Sequence, residues 1–262
     1  MLFFCLYGFL SKRADWMIVY IIYGIIQGIS EFLPISSSGH LYIVSNILKF
    51  GSSGKLAFFV WLHFATLFAV LVFFYKEIVL ALKKKTIVTS IIITTIVTSV
   101  IAILIEKTIG SYFDNHYLIM CGFIVTAVFL LLSKFGSGGV MSMDQYNIKE
   151  AVILGIVQGI AVIPGISRSG ITITTLMRRG FNSTISFQLS FIAAVPVILS
   201  AFIYESSSIM HNTFSTIYIW GFISAFISGL AALKILNKVI NKRWLYYFGY
   251  YCIFMIAVSL II

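Results

Sequence analysis

Charge is scarce in this chain. Only 10% of its 262 residues are Asp, Glu, Lys or Arg, against about 25% in an ordinary soluble domain. That excludes a globule whose surface is covered by ionised side chains. Acid is scarcer than base, 8 Asp+Glu against 18 Lys+Arg for a formal charge of +10. The basic residues fall between apolar runs and not along one face, so they read as membrane-orientation signals and exclude a nucleic-acid-binding patch. Cysteine is nearly missing. Cys5, Cys121 and Cys252 lie far apart in apolar surroundings with no CxxC or Cys/His spacing, which excludes a cysteine metal site and leaves packing roles. A secretory leader is missing in form too: in MLFFCLYGFLSKRAD the apolar run precedes the positive charges, the reverse of a cleaved signal. The apolar pattern proper begins at Trp16-Met17, which makes Met17 a candidate start and residues 1–16 a candidate extension.

Apolar residues are abundant, at 60% of the chain with a mean hydropathy of +1.06. The apolar stretches run approximately over Trp16–Phe32, Leu41–Leu48, Leu56–Leu82, Thr86–Ile105, Tyr117–Leu132, Ala151–Ile163, Ile171–Met177, Thr184–Tyr204, Phe214–Leu236 and Trp244–Ile262. A spanning helix needs about 20 residues, so the stretches starting at Leu41, Ala151 and Ile171 are too short to cross. The first stretch stops just before a proline set in apolar sequence. Short pairs around a break predict re-entrant hairpins. The positive-inside rule places Lys83-Lys84-Lys85, Lys134 to Lys149, Arg178-Arg179 and Lys234 to Arg243 on the inner side. It places Glu106 to Asp114, and the loop carrying Glu205 and His211, on the outer side. The hairpin around Pro34 then enters from outside and the one around Pro164 from inside.

A repeat agrees with this arrangement. Gly24, Gln27, Gly28, Ile35, Ser36, Ser38 and Gly39 recur 131 positions later as Gly155, Gln158, Gly159, Ile166, Ser167, Ser169 and Gly170. One constant offset over these positions predicts an internal duplication. The expected fold is an all-α, polytopic integral membrane protein with inverted-topology repeats and two re-entrant helical hairpins meeting near the bilayer midplane. It is a single membrane domain over 1–262, with repeat 1 at about 16–133 and repeat 2 at about 149–262.

Two segments hold nearly all the chemistry. In Gln27-Gly-Ile-Ser-Glu31-Phe-Leu-Pro34-Ile-Ser36-Ser37-Ser38-Gly39-His40, Gln27 and Glu31 share a helical face and Pro34 breaks the helix. The serines and Gly39 offer hydroxyls and backbone N–H groups at the start of the next helix, a place that favours anions. Pro164-Gly-Ile-Ser167-Arg168-Ser169-Gly170-Ile-Thr172 repeats the arrangement with an arginine in the middle, the residue suited to forked bonding to phosphate. Gln158 lies just before it. A charge inside the membrane costs at least about 2.5 kcal/mol, so Glu31 and Arg168 point to function, the bland alternative being a structural ion pair. Ser45, Ser90, Ser99, Thr94, Thr95 and Thr98 read as helix packing, His63 as a satisfied core histidine, and His116 and His211 as loop residues. Together the two segments fit phosphoryl chemistry. A secondary transporter, or a flippase for a lipid phosphate, is the competing class, because broken helices at the midplane also build transport sites.

At these residues the chain resembles the undecaprenyl pyrophosphate phosphatase family, the bacitracin-resistance BacA type. LHFATLFAVLVFFYKEI, FxxSFIAAVPVILSA and the closing WLYYFGYYCIFMIAVSLII extend the resemblance over nearly the whole chain. The resemblance implies a cell-membrane diphosphatase that hydrolyses undecaprenyl (polyprenyl) diphosphate to the monophosphate and inorganic phosphate on the outer side. Such an enzyme recycles the lipid carrier of cell-wall glycans. It implies Glu31, Ser37, His40 and Arg168 as catalytic residues and Ser36, Ser167, Ser169 and Thr172 as phosphate surroundings. Gln27, Ser38, Gly39, Gln158 and Gly170 complete the candidate substrate-binding set. It further implies Mg2+ or Ca2+, with Glu31 as the protein ligand beside the substrate phosphates, and a homodimer. The family's first motif usually opens with Glu where this chain has Gln27, so any carboxylate role there falls to Glu31 alone. Three mechanisms stand open at this point: Ser37 as nucleophile with His40 or Glu31 as base, His40 as nucleophile, or direct attack by water.

Overall fold

The computed structural model describes residues 13–48, 55–135, 139–209 and 216–260. Expectations for Cys5, for His211 and for residues 1–12 of the candidate extension lie outside them. Every regular element among the described residues is helical, apart from one isolated bridge between Met141 and Phe181. In chain order the helices are α1 (Arg13–Phe32), α2 (Ser37–Leu48), α3 (Lys55–Phe73), α4 (Tyr75–Leu82), α5 (Lys85–Ile109), α6 (His116–Leu132), α7 (Ile148–Ile160), α8 (Arg168–Arg178), α9 (Ser183–Ile192), α10 (Ala194–Ile209), α11 (Tyr218–Asn241) and α12 (Tyr247–Ser259).

Among the described residues, three helical stretches are long and apolar enough to cross a membrane: Lys85–Tyr112, Ser183–Tyr204 through the joint at Ala193, and Tyr218–Asn241. The stretch expected as one run over Leu56–Leu82 is instead α3 and α4, bent by 76° at Phe74. Trp16–Phe32, His116–Leu132 and Tyr247–Ser259 are shorter apolar helices. These lengths and compositions are those of a multi-pass membrane protein. By contrast α2, α7 and α8, at 12, 13 and 11 residues, reach only about 17–20 Å at about 1.5 Å per residue.

Small residues let the long helices approach. Gly24 and Gly28 of α1 face Gly221, Ser224, Ala225 and Ser228 of α11, where a Cβ on either glycine would strike a serine hydroxyl and a backbone carbonyl. Ser224 and Ser228 close the contact by donating to the Ile21 and Gly24 carbonyls at 3.2 and 3.4 Å. The same device holds α7 against α5: Gly155 and Gly159 meet Val97 and Ile101, while Thr94 and Thr98 donate to the Ala151 and Gly155 carbonyls at 3.1 and 3.2 Å. Thr94 is therefore a packing residue, as expected, while Thr98 both packs and lines the cavity described below. The first helix of each half thus packs on the last helix but one of the other, and α6 packs on α12. Cys252 is buried in α12, while Cys121 is exposed on α6, which departs from its expected packing role. His116 is likewise the first residue of α6 and half-buried beside Tyr117, not a free loop residue.

Most of the basic loops gather at one end. Lys84 pairs with Asp144, Met141 N–H donates to Gly180 O at 2.9 Å, and Lys134 lies over the Tyr246 ring at 5.6 Å. Arg179 makes a forked pair with Glu150 at 2.8 and 2.7 Å. That pair ties the start of α7 to the end of α8, so this helix pair begins and finishes at the basic end. Its tip lies in the interior, where Gly170 sits under Pro34 of the other break.

Candidate active site

The two breaks form by the same local chemistry. Pro34 holds the residue before it away from helical geometry, and Ser36 takes φ +68°, a left-handed turn that reverses the chain. At the second break Gly165 supplies the turn at φ +88°. Ser36 Oγ then accepts from Gly39 N–H at 3.3 Å and Ser167 Oγ from Gly170 N–H at 3.2 Å. Each serine caps the helix that follows. Each also lies 3.3 Å from the hydroxyl two residues on, Ser38 and Ser169. Ser36, Ser167 and Ser169 are buried. The second tip is braced by α6, where Thr126 donates to Gly165 O at 3.0 Å and accepts from Ser167 N–H at 2.8 Å.

Between the tips lies a cavity of about 340 Å³. Glu31, Ser36, Ser37, Ser38, His63, Gln158, Ser167 and Arg168 face it on the polar side, and Val197, Ile198 and Phe202 form part of an apolar wall. Glu31 stands at its centre with 8% of its side chain exposed. Its Oε1 accepts from Arg168 Nη2 at 2.5 Å. Its Oε2 accepts from Ser37 Oγ at 2.7 Å and from Gln27 Nε2 at 3.2 Å. Arg168, the first residue of α8, also lies over the Phe191 ring at 5.8 Å. Its Nη1 is buried with no hydrogen-bond partner among the described residues. A hydroxyl already hydrogen-bonded to a carboxylate, beside a guanidinium with a spare donor, is suited to attack on a bound phosphoryl group.

The sequence-predicted residues divide into four groups, one of them Gln27 alone, buried off the cavity against Glu31. Glu31, Ser37 and Arg168 come together on the cavity, with Ser36, Ser38, Ser167 and Gln158 around them. Gly39, Ser169, Gly170 and Thr172 wire the tips: Thr172 donates to Arg168 O at 2.7 Å and meets Ser190 Oγ at 2.6 Å, and Gly39 packs under Phe123. His40 is not among the residues lining the cavity. Its Nδ1 lies 2.7 Å from Ser36 O and its Nε2 2.8 Å from Tyr251 Oη, with the ring stacked on Tyr251.

His63 takes the place next to Glu31, which corrects its reading as a core histidine. Its side chain is 41% exposed on the cavity, with Nδ1 3.0 Å from Gln27 Nε2 and 3.5 Å from Glu31 Oε2. A lone histidine on an apolar helix 36 residues from its partner carries no local signal of that contact.

The family model described as bacitracin resistance protein BacA matches residues 20–258. An undecaprenyl-diphosphatase of Thermosipho africanus is 40% identical over 250 residues, covering 92% of this chain and 98% of that protein. One of Thermotoga petrophila is 35% identical over 239 residues, covering 91% and 98%. One of Methanococcus vannielii is 35% identical over 241 residues, covering 88% and 94%.

Proposed function

The chain belongs to the bacitracin resistance protein BacA family, and from that membership we propose that it is a membrane undecaprenyl-diphosphatase. It hydrolyses undecaprenyl diphosphate to the monophosphate and inorganic phosphate. The observation that carries this into chemistry is Ser37 Oγ donating to Glu31 Oε2 at 2.7 Å, beside Arg168. Binding an anion needs no such pre-aligned hydroxyl and carboxylate.

In the proposed reaction Arg168 and the capped start of α8 hold the terminal phosphate. Ser37 Oγ bonds to its phosphorus, and the bridging P–O bond to the polyprenyl phosphate breaks. The serine proton passes to Glu31 and from there to the leaving oxygen. Water next displaces Oγ from phosphorus, and its proton returns to Ser37 through Glu31 as inorganic phosphate departs. Arrival of the diphosphate gives Arg168 a second anion, which its unpartnered Nη1 is free to meet while Nη2 stays on Glu31. The apolar wall with Val197, Ile198 and Phe202 takes the isoprenoid.

Glu31 is the one carboxylate among the described residues on the cavity, and its oxygens already serve Arg168, Ser37 and Gln27. A Mg2+ or Ca2+ ion would therefore be held mainly by the substrate phosphates, with Glu31 as its one carboxylate ligand, and would there neutralise phosphate charge. In the membrane the halves are inverted repeats and the α1–α2 and α7–α8 pairs are re-entrant hairpins, with the site opening to the outer side of the cell membrane. The 131-residue recurrence, the reciprocal packing of α1 on α11 and α7 on α5, and the basic end support this arrangement. A second copy of the chain is its proposed partner.

The test is phosphate release from farnesyl or undecaprenyl diphosphate by detergent-purified protein with Mg2+, Ca2+ or EDTA. Release that vanishes in Arg168→Ala is the expected result. No release under any condition would overturn the assignment.

A further inference from the structure

The two halves differ in chemistry at the cavity. At the 131-residue offset Glu31 corresponds to Val162, Ser37 to Arg168 and His63 to Ala194. All three first-half residues face the cavity. The halves also differ off the cavity, as at His40 and Ile171, but these three differences lie around the proposed reaction. Gln27 and Gln158 are matched, yet they serve different partners: Gln158 Nε2 donates to Thr98 Oγ1 at 3.3 Å, whereas Gln27 Nε2 lies between Glu31 and His63.

The Gln27 amide has little freedom. It is fully buried, and its neighbour at 3.2 Å is a carboxylate oxygen of Glu31. Turning the amide over would set its carbonyl oxygen against that carboxylate, so the NH2 end must face Glu31. One of its hydrogens goes to Glu31. The other points at His63 Nδ1, 3.0 Å away. An NH2 group only donates, so Nδ1 must present a lone pair, and a neutral imidazole then carries its hydrogen on Nε2. The 3.5 Å gap between Nδ1 and Glu31 Oε2 agrees, because neither atom has a hydrogen to offer the other.

Resting on the diphosphatase reading, we propose that Gln27 fixes His63 as the Nε2–H tautomer and that His63 donates this hydrogen to a phosphate oxygen of the bound diphosphate. Nδ1 is turned to Gln27, which leaves Nε2, across the ring, as the nitrogen for the cavity. His63 and Arg168 then hold the phosphate from the two halves of the chain, one neutral donor and one cation, with Ser37 between them. Gln27 is a positioning residue that acts through His63. No proton leaves His63 in this role.

Two measurements test it. In histidine-selective 15N spectra, with His63 assigned by its loss in His63→Gln, the wild-type ring is expected to show an unprotonated Nδ1 and a protonated Nε2. Addition of methylenediphosphonate is expected to move the Nε2 signal. A protonated Nδ1, or an Nε2 that the diphosphonate leaves unmoved, would overturn the proposal. In the phosphate-release assay, His63→Leu is expected to lose about 10- to 100-fold in kcat/KM, the range for one hydrogen bond to a charged group. His63→Gln, whose amide places an N–H near the position of Nε2, should recover part of that loss. His63→Leu turning over at the wild-type rate would sink the donor role. Absence of release from the wild type would remove the functional reading and the donor role with it, but the tautomer at Gln27 is read without turnover, so the two failures are distinguishable.

Discussion

Glu31 and Arg168 meet across 137 residues of chain, Oε1 to Nη2 at 2.5 Å. The contact joins the first helix of one half to the break of the other, with 8% and 16% of the two side chains exposed. It couples the integrity of the tips to the proposed chemistry, and each partner neutralises a charge the membrane would otherwise resist.

Removing one partner alone should therefore be costly twice over. Arg168→Met is expected to abolish phosphate release and to lower stability by about 3–5 kcal/mol, as for a buried charge left unpaired. The double variant Glu31→Gln/Arg168→Met should regain much of the stability and none of the activity. Thermal unfolding in detergent, set beside phosphate release, separates the two effects.

The nucleophile leaves a chemical trace. Ser37→Ala is expected to lower turnover by at least about a thousandfold, as when a nucleophile is removed from a working set, while still binding the substrate. Rapid acid quench of the wild type with labelled diphosphate should trap an acid-stable phosphoserine at position 37. An acid-labile adduct, preserved in a parallel alkaline quench, would instead be a phosphohistidine and pass the role to a histidine, His63 being the one on the cavity among the described residues. No covalent adduct under either quench would favour direct attack by water.

The caps predict a graded series in stability. Ser167→Ala should cost about 1 kcal/mol, while a glycine cap loses only a few tenths. Because Ser36 already holds φ +68°, Ser36→Gly should be close to neutral and Ser36→Val distinctly worse than Ser36→Ala, since β-branched residues resist that region. Equal melting temperatures for Ser36→Gly and Ser36→Val would refute the strained-cap description.

Close packing gives a prediction remote from the cavity. Gly28→Ala would drive a methyl group into Ser228 Oγ and the Ala225 carbonyl. The cost expected is about 1–3 kcal/mol, the range for overpacking. Gly28→Ala combined with Ser228→Gly should recover part of it, because one obstructing atom is then removed. The measurement is again the melting temperature.

Much of this protein is legible in one dimension. Scarce charge and long apolar runs specify a helical membrane protein, because unpaired backbone groups and bare charges are both expensive in hydrocarbon. Pro34 and Pro164 mark the two breaks. The Ser-x-x-Gly spacing recurs as Ser36/Gly39 and Ser167/Gly170, and these pairs are the caps the structure contains. Glu31 and Arg168 stand out as charges needing an explanation.

Only the tertiary structure decided who meets whom. His40 is implied as catalytic by the resemblance, and the structure turns its ring to Tyr251, off the cavity lining. His63 sits 36 residues from Gln27 and is brought to it by the packing of α3 beside α1. The bend at Phe74 is equally hidden, since neither proline nor glycine marks it and only Lys76 and Glu77 interrupt the apolar run beyond it. Local sequence encodes caps, breaks and hydropathy, which depend on neighbours a few residues away. Contacts between helices depend on register and rotation, which are set by the whole packed set of glycines, serines and ring faces and leave no trace at either residue alone.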